Sequence, residues 1–164
     1  MFYEVREIVP TYETIPEIGA LIRLAFSDVA REFQLTPENC HSHPSFLTDS
    51  DLLASLRRPG VICFAAYANN APVGFVAIWP KGPDAYELTR LCALPAHRHM
   101  GLGEQLMQAA IQAAKERGAR RIEIGIIDAS ERLKRWYEKF GFRETGKHSY
   151  AHLPFVVCEM QHNL

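Results

Sequence analysis

The chain has 164 residues, 48% hydrophobic and 23% charged, with a formal net charge of -1. That fits one domain, residues 1–164, around a single core. It excludes a basic field for nucleic acid and an acidic solvating tail.

Residues 3–9 read as a first strand. From Thr14 to Arg31, the residues Ile15, Ile18, Leu21, Ile22, Ala25, Phe26 and Val29 recur at helical spacing, and Pro16 suits the first turn. Residues 33–50 are polar and irregular, and Thr48 to Leu56 reads as a short helix capped by Thr48 or Ser50. Strands follow at 61–67, 73–79 and 86–94; the residues 69–72 form a hairpin loop, so the three strands make an antiparallel meander. A helix over 102–117 carries Leu102, Leu106, Ala110 and Ala113 on one stripe and ends at Gly118. The strand 121–127 returns by a βαβ crossover and so runs parallel to strand 86–94. Ser130 is placed to cap a last helix ending at Gly141, and strands over 142–150 and 153–160 complete a mixed sheet. No apolar run reaches a membrane span, and the first residues carry acids where a signal peptide would be apolar. The expectation is a cytoplasmic protein, with Cys40, Cys63, Cys92 and Cys158 as reduced thiols.

The most informative segment is Arg98-His99-Met100-Gly101-Leu102-Gly103, between a strand and a helix. The first N–H groups of a helix have no intrahelical partner and carry partial positive charge, so they favour an anion. Gly101 and Gly103 lack Cβ atoms, which lets a phosphate approach the backbone. The pattern is neither a dinucleotide fingerprint nor a P-loop, because no G-x-G-x-x-G opens the first βα unit and no Lys-Ser or Lys-Thr follows the glycines.

This turn resembles the R/Q-x-x-G-x-G/A signature of the GNAT superfamily of acyl-CoA-dependent N-acetyltransferases. Leu91-Cys92-Ala93-Leu94-Pro95 resembles the family's preceding strand, with Ala93 in place of valine. Tyr137-Glu138-Lys139-Phe140-Gly141-Phe142 resembles its later tyrosine–x–x–x–glycine–phenylalanine motif. The firm resemblance covers about residues 60–145. It implies an α/β fold with a mixed, mostly antiparallel central sheet flanked by helices, and a splayed parallel strand pair forming the acyl-CoA cleft.

The resemblance further implies acetyl transfer from acetyl-CoA to a primary amine of a small molecule or peptide, with acetyl-CoA as co-substrate. Backbone N–H groups of His99, Met100, Gly101, Leu102, Gly103 and Glu104 would cradle the pyrophosphate, with Arg98 adding charge. Glu104 departs from the family, and its carboxylate is expected to turn outward from phosphate. Freed backbone of Leu91, Cys92 and Ala93 would pair with the pantetheine beside a β-bulge, and an N–H at Ala93 or Leu94 would hold the oxyanion. Asp128 stands where the family often has asparagine at the cofactor.

Glu87 is the candidate base, since an amine with a reference pKa near 10.4 must lose its proton to attack. Other relatives use a water chain. Strand alternation places Glu87, Thr89, Leu91 and Ala93 on one face. Tyr137 is the candidate acid toward the departing thiolate. Cys92, mid-strand and without a histidine partner, reads as a buried thiol rather than a nucleophile. Cys40-His41-Ser42-His43 lacks a fourth ligand, so no metal is expected. His41, His43 and Phe46 are expected to wall the acceptor. No nucleic acid or membrane partner is expected, and a homodimer is compatible with the family. The alternative reading is a non-catalytic acyl-CoA-binding or sensing module on the same fold.

Overall fold

The structure, a computed structural model, describes residues 2–164. The elements are β1 (Glu4–Ile8), α1 (Ile15–Glu32), α2 (Asp49–Leu56), β2 (Ile62–Ala68), β3 (Ala71–Pro80), β4 (Ala85–Ala93), α3 (Leu102–Glu116), β5 (Arg121–Ile127), α4 (Glu131–Glu138), β6 (Arg143–Ser149) and β7 (Val156–Asn163). Short 3-10 turns lie at Pro44–Phe46 and Pro95–His97. The strands form one seven-stranded sheet in the order β1-β2-β3-β4-β5-β7-β6. Among the described residues only β4 and β5, joined through α3, run parallel; the other pairs are antiparallel.

Local chemistry sets most boundaries. Thr48 Oγ1 accepts from the Asp51 N–H at 3.1 Å and caps α2. Asn69 and Asn70 have φ of 51° and 65°, so β2 and β3 are joined by a tight two-residue turn. The sequence reading placed residues 71 and 72 in that loop, but they open β3. Pro72 lies opposite Tyr67 beside a register shift, where a residue without an N–H is tolerated.

Two other expectations are corrected. Ser130 precedes α4 but makes no capping bond, because its ψ of 78° takes it out of the usual cap conformation. The last strand starts at Val156, not Leu153. Pro154 cannot donate to a ladder, and Leu153 and Phe155 pack instead against the segment after α1.

Each face of the sheet has its own core. On one, Leu102, Leu106, Met107 and Ala110 of α3 pack with Val76, Ile78, Leu88, Ile122 and Met160, and Tyr137 and Phe142 join them. On the other, Ile18, Leu21 and Ile22 of α1 and Leu52, Leu53 and Leu56 of α2 cover Cys63, Ala65, Phe75 and Ala77. Helices α1 and α2 therefore cover the β2–β4 half. On that same face β5 and β7 present Glu123, Gly125, Glu159 and Gln161, which join neither core. Among the described residues no helix is long and apolar enough to cross a membrane.

Candidate active site

The site begins where β4 leaves β5. The two strands pair only at Ala85–Arg121, Tyr86–Ile122 and Glu87–Glu123. Beyond this, β5 continues against β7 while β4 diverges. The divergence coincides with a β-bulge: Arg90 and Leu91 together oppose Val76, and Arg90 has φ +56°. The bulge also corrects the expected face pattern. Before it, Glu87 and Thr89 lie opposite Trp79 and Ala77 on the α1/α2 face. After it, Leu91 and Ala93 pack into the α3 core. An extra residue shifts a period-2 pattern by one, so Glu87 and Leu91 face opposite sides of the sheet.

The open seam exposes particular backbone groups. The Leu94 N–H donates to Val73 O at 2.9 Å, toward β3. Across that planar peptide, the Ala93 carbonyl points the other way, into the seam, and the Ala93 N–H of the same extended residue faces the seam too. Leu91 shares that direction, while Cys92 pairs toward Phe75 on β3. Leu94 is therefore engaged, and Ala93 is the residue whose N–H faces the gap. Arg98 reaches back to this point. Its Nε donates to Ala93 O at 3.1 Å, its Nη2 donates to Ala25 O at 2.8 Å, and it pairs with Asp28. The guanidinium ties α1 to the end of β4. Its side chain is committed there, and it holds Asp28 below the usual carboxylate range against the opposing effect of burial.

The turn after Arg98 is built from backbone. His99 and Gly101 have φ of 62° and 81°, and Gly101 precedes α3 without a side-chain cap. Among the described residues, no N–H from His99 through Glu104 donates to another protein group. Nothing lies within 4 Å of the position a Gly101 Cβ would take. At Gly103 a Cβ would come 3.2 Å from the Trp136 ring, so the glycine lets α4 lean on the start of α3. Glu104 lies along the helix surface, where its Oε1 accepts from Gln108 Nε2 at 3.2 Å. A row of free N–H groups at a helix N-terminus is an anion site.

The candidate base and acid lie on opposite faces of the sheet. Glu87 is half-buried, and its Oε2 accepts from Trp79 Nε1 at 2.8 Å. That bond fixes the carboxylate, and it lines a cavity of about 350 Å³ with Trp79, Lys81, Arg58 and Val61. Tyr137, only 6% exposed, packs edge-on to Trp136 and Phe142 in the α3 core. Burial pushes its phenol upward, so it stays protonated, and its hydroxyl has no partner among the described residues. Burial raises the Cys92 thiol to about 12, so it is no thiolate at neutral pH.

Residues 26–142 match the acetyltransferase (GNAT) family. The chain belongs to this family. Its relatives include the uncharacterized N-acetyltransferase YvbK of Bacillus subtilis, 32% identical over 49% of this chain and 52% of that protein. Also similar is the putative [ribosomal protein bS18]-alanine N-acetyltransferase of the same organism, 32% identical over 44% of this chain and 48% of the relative. The chain thus spans about half the length of these curated relatives. In fold it is similar to the PaiA N-acetyltransferase of Thermoplasma acidophilum in complex with coenzyme A, with a TM-score of 0.81, 18% identity and 100% of both chains covered.

Against the GNAT pattern, Asp128 is distinctive. Its carboxylate pairs with Lys134 at 2.9 Å and Lys147 at 3.3 Å, and these ammonium groups depress it. Lys134 Nζ also lies 3.6 Å from Glu144. Asp128, Glu144 and Cys158 offer metal-type ligand atoms within 4.8 Å of one another, but this lysine already supplies the cation. Cys40, His41 and His43 do not converge. Cys40 is buried, His41 is exposed, and His43 packs between Phe26 and Phe46 with its Nδ1 2.7 Å from Ser45 Oγ. Leu153 and Phe155 from the β6–β7 connection pack against a cluster of Ala30, Leu35 and Cys40, which Phe33 and Phe46 also join. Segments from the two diverging arms thus touch across the seam.

The sequence reading missed Trp79, Asp28 and Arg90. Only Trp79 left a signal, because it ends the expected strand 73–79, next to the expected strand that carries Glu87. The other two depend on tertiary contacts.

Proposed function

We propose that this protein transfers acetyl from acetyl-CoA directly to a primary amine of a small molecule or peptide. The observation that carries the reading is the uncapped row of N–H groups at the start of α3, set beside a seam open between β4 and β5. The pyrophosphate would lie on that row, and the pantetheine would run along Leu91 and Ala93 as an added strand. The amine enters from the α1/α2 face, where Glu87 accepts its proton directly or through water. The nitrogen attacks the thioester carbonyl, and the Ala93 N–H stabilises the oxyanion. The C–S bond breaks toward the α3 face, where Tyr137 donates to the departing sulfur. Burial keeps the phenol protonated and makes it a weaker acid, so what it gives the sulfur is a hydrogen bond.

The contact of the 33–46 segment with Leu153 and Phe155 narrows the acceptor. A bridged cleft suits a small molecule or a chain end better than a lysine in the middle of a folded surface. The putative [ribosomal protein bS18]-alanine N-acetyltransferase among its relatives supports keeping peptide termini in the acceptor class. The test is release of free CoA across an amine panel, with wild type beside Tyr137→Phe. Acceptor-dependent release that drops in the variant supports transfer. Tight CoA binding without release on any amine favours the sensing module.

A further inference from the structure

Tyr3 precedes β1, far in sequence from the phosphate turn, yet it is 5% exposed and its ring lies in the core under α3. Its hydroxyl is 3.1 Å from His97 Nδ1 and 3.2 Å from Met100 Sδ. A phenol has one proton, and a thioether only accepts. With the Tyr3 proton directed to Met100, the phenol oxygen accepts from His97, whose Nδ1 then carries the hydrogen. The relay then runs His97 Nδ1–H to Tyr3 Oη–H to Met100 Sδ.

Met100 is the residue between His99 (φ 62°) and Gly101 (φ 81°). Two left-handed residues aim the N–H groups of this turn outward as a concave anion cradle. A non-glycine residue in that conformation persists only where its surroundings hold it. Met100 is itself 49% exposed, so packing alone does not fix it. His97, at the other end of the tether, closes the 3-10 turn that follows β4.

We propose that Tyr3 is a positioning residue for the acyl-CoA pyrophosphate, holding the 97–101 segment in its binding conformation through His97 and Met100. The inference rests on the reading that the turn from His99 to Glu104 holds the pyrophosphate. Without the tether the free turn samples other conformers, and apparent affinity falls with the fraction that is competent. The contact thereby makes the segment leading into the first strand part of the cofactor site.

The test is calorimetric titration of CoA into wild type, Tyr3→Phe, Met100→Leu and Gly101→Val, with amide hydrogen exchange over residues 99–104 in the unliganded proteins. Loss of the relay is expected to weaken CoA about three- to tenfold in Tyr3→Phe, in line with one or two modest hydrogen bonds. Exchange of those amides should quicken, while affinity for pantetheine, which carries no phosphate, stays unchanged. A purely structural role would not produce that split. Met100→Leu keeps the bulk and removes the acceptor, so it should weaken CoA in the same direction even if Tyr3→Phe folds poorly. If Gly101→Val weakens CoA while Tyr3→Phe and Met100→Leu bind like wild type, the role of Tyr3 is overturned and the turn reading stands. If Gly101→Val also binds like wild type, the turn reading falls and the inference with it.

Discussion

The two halves of the sheet are built for different tasks. Strands β2, β3 and β4 lie between helices on both faces, and Phe75, Val76, Ala77 and Ile78 of β3 are fully buried. Of strands β5, β7 and β6, only the first two join a core, and both do so on the α3 side. β6 reads Arg143-Glu144-Thr145-Gly146-Lys147-His148-Ser149 and is exposed along nearly its whole length. The open face of this half holds interacting polar groups: Tyr150 and His148 meet Glu159, and Lys81 meets Glu123 at 3.3 Å. The doubly covered half fixes the fold. The half with one bare face leaves room beside the seam, and Glu87 stands at the last paired position between them.

The largest expected effect tests the stability side of this contrast. Phe75→Ala removes a fully buried ring and should cost about 3–5 kcal/mol by denaturant unfolding. Thr145→Ala, in the exposed strand of the other half, should stay within about 0.5 kcal/mol. Equal losses would show that both halves share the structural burden. Next in size is the catalytic side. Glu87→Gln keeps the shape and can still accept from Trp79, so CoA affinity should hold while kcat falls about 10²- to 10³-fold. A kcat within twofold of wild type would shift the deprotonation to water alone.

Tyr137→Phe should separate the two roles on one residue. The hydroxyl has no partner among the described residues, so its removal should leave the melting temperature unchanged or raise it. Loss of a hydrogen bond to a charged sulfur should lower kcat about ten- to a hundredfold. A fall in stability with unchanged turnover would make this tyrosine a core residue only.

Much of the fold was legible because it rests on local chemistry. Apolar periodicity marked α1 and α3, Asn69-Asn70 marked the hairpin, and the glycine turn marked the start of α3. The site was legible where it uses backbone, since Gly101 and Gly103 announce a turn whatever side chains surround them. It was least legible where one residue changes a strand's phase. Nothing in Leu88-Thr89-Arg90-Leu91 signals the bulge, because Arg90 adopts φ +56° under tertiary constraint without the glycine or asparagine that marks such positions. That single residue moves Glu87 to the opposite face from Leu91, so the carboxylate and Tyr137 lie on opposite sides of the sheet. The partners of Arg98 were illegible for a related reason. Asp28 and the Ala25 carbonyl lie on a helix whose docking no local pattern reports.

The smallest expected effect concerns the segment that touches across the seam. His43 is 8% exposed among Phe26 and Phe46, and desolvation lowers its pKa to about 4 from an ordinary 6.5. As pH falls below about 6.5, the unfolded chain takes up a proton that the folded chain refuses. Stability is therefore complete above that value and declines as pH drops toward 4. The depressed carboxylates Asp28 and Asp128 act in a lower window, because their stabilisation is lost only as pH falls from the ordinary carboxylate range toward their lowered values. Urea midpoints at pH 7 and pH 5 consequently isolate the histidine. The wild type should lose stability over that interval, and His43→Gln, which does not titrate, should lose less. Parallel losses would mean that the segment opens to solvent before the ring is protonated. In that event the packing of Phe155 against the Leu35–Cys40 cluster is a weak closure, and the bare-faced half of the molecule admits larger acceptors than a bridged cleft allows.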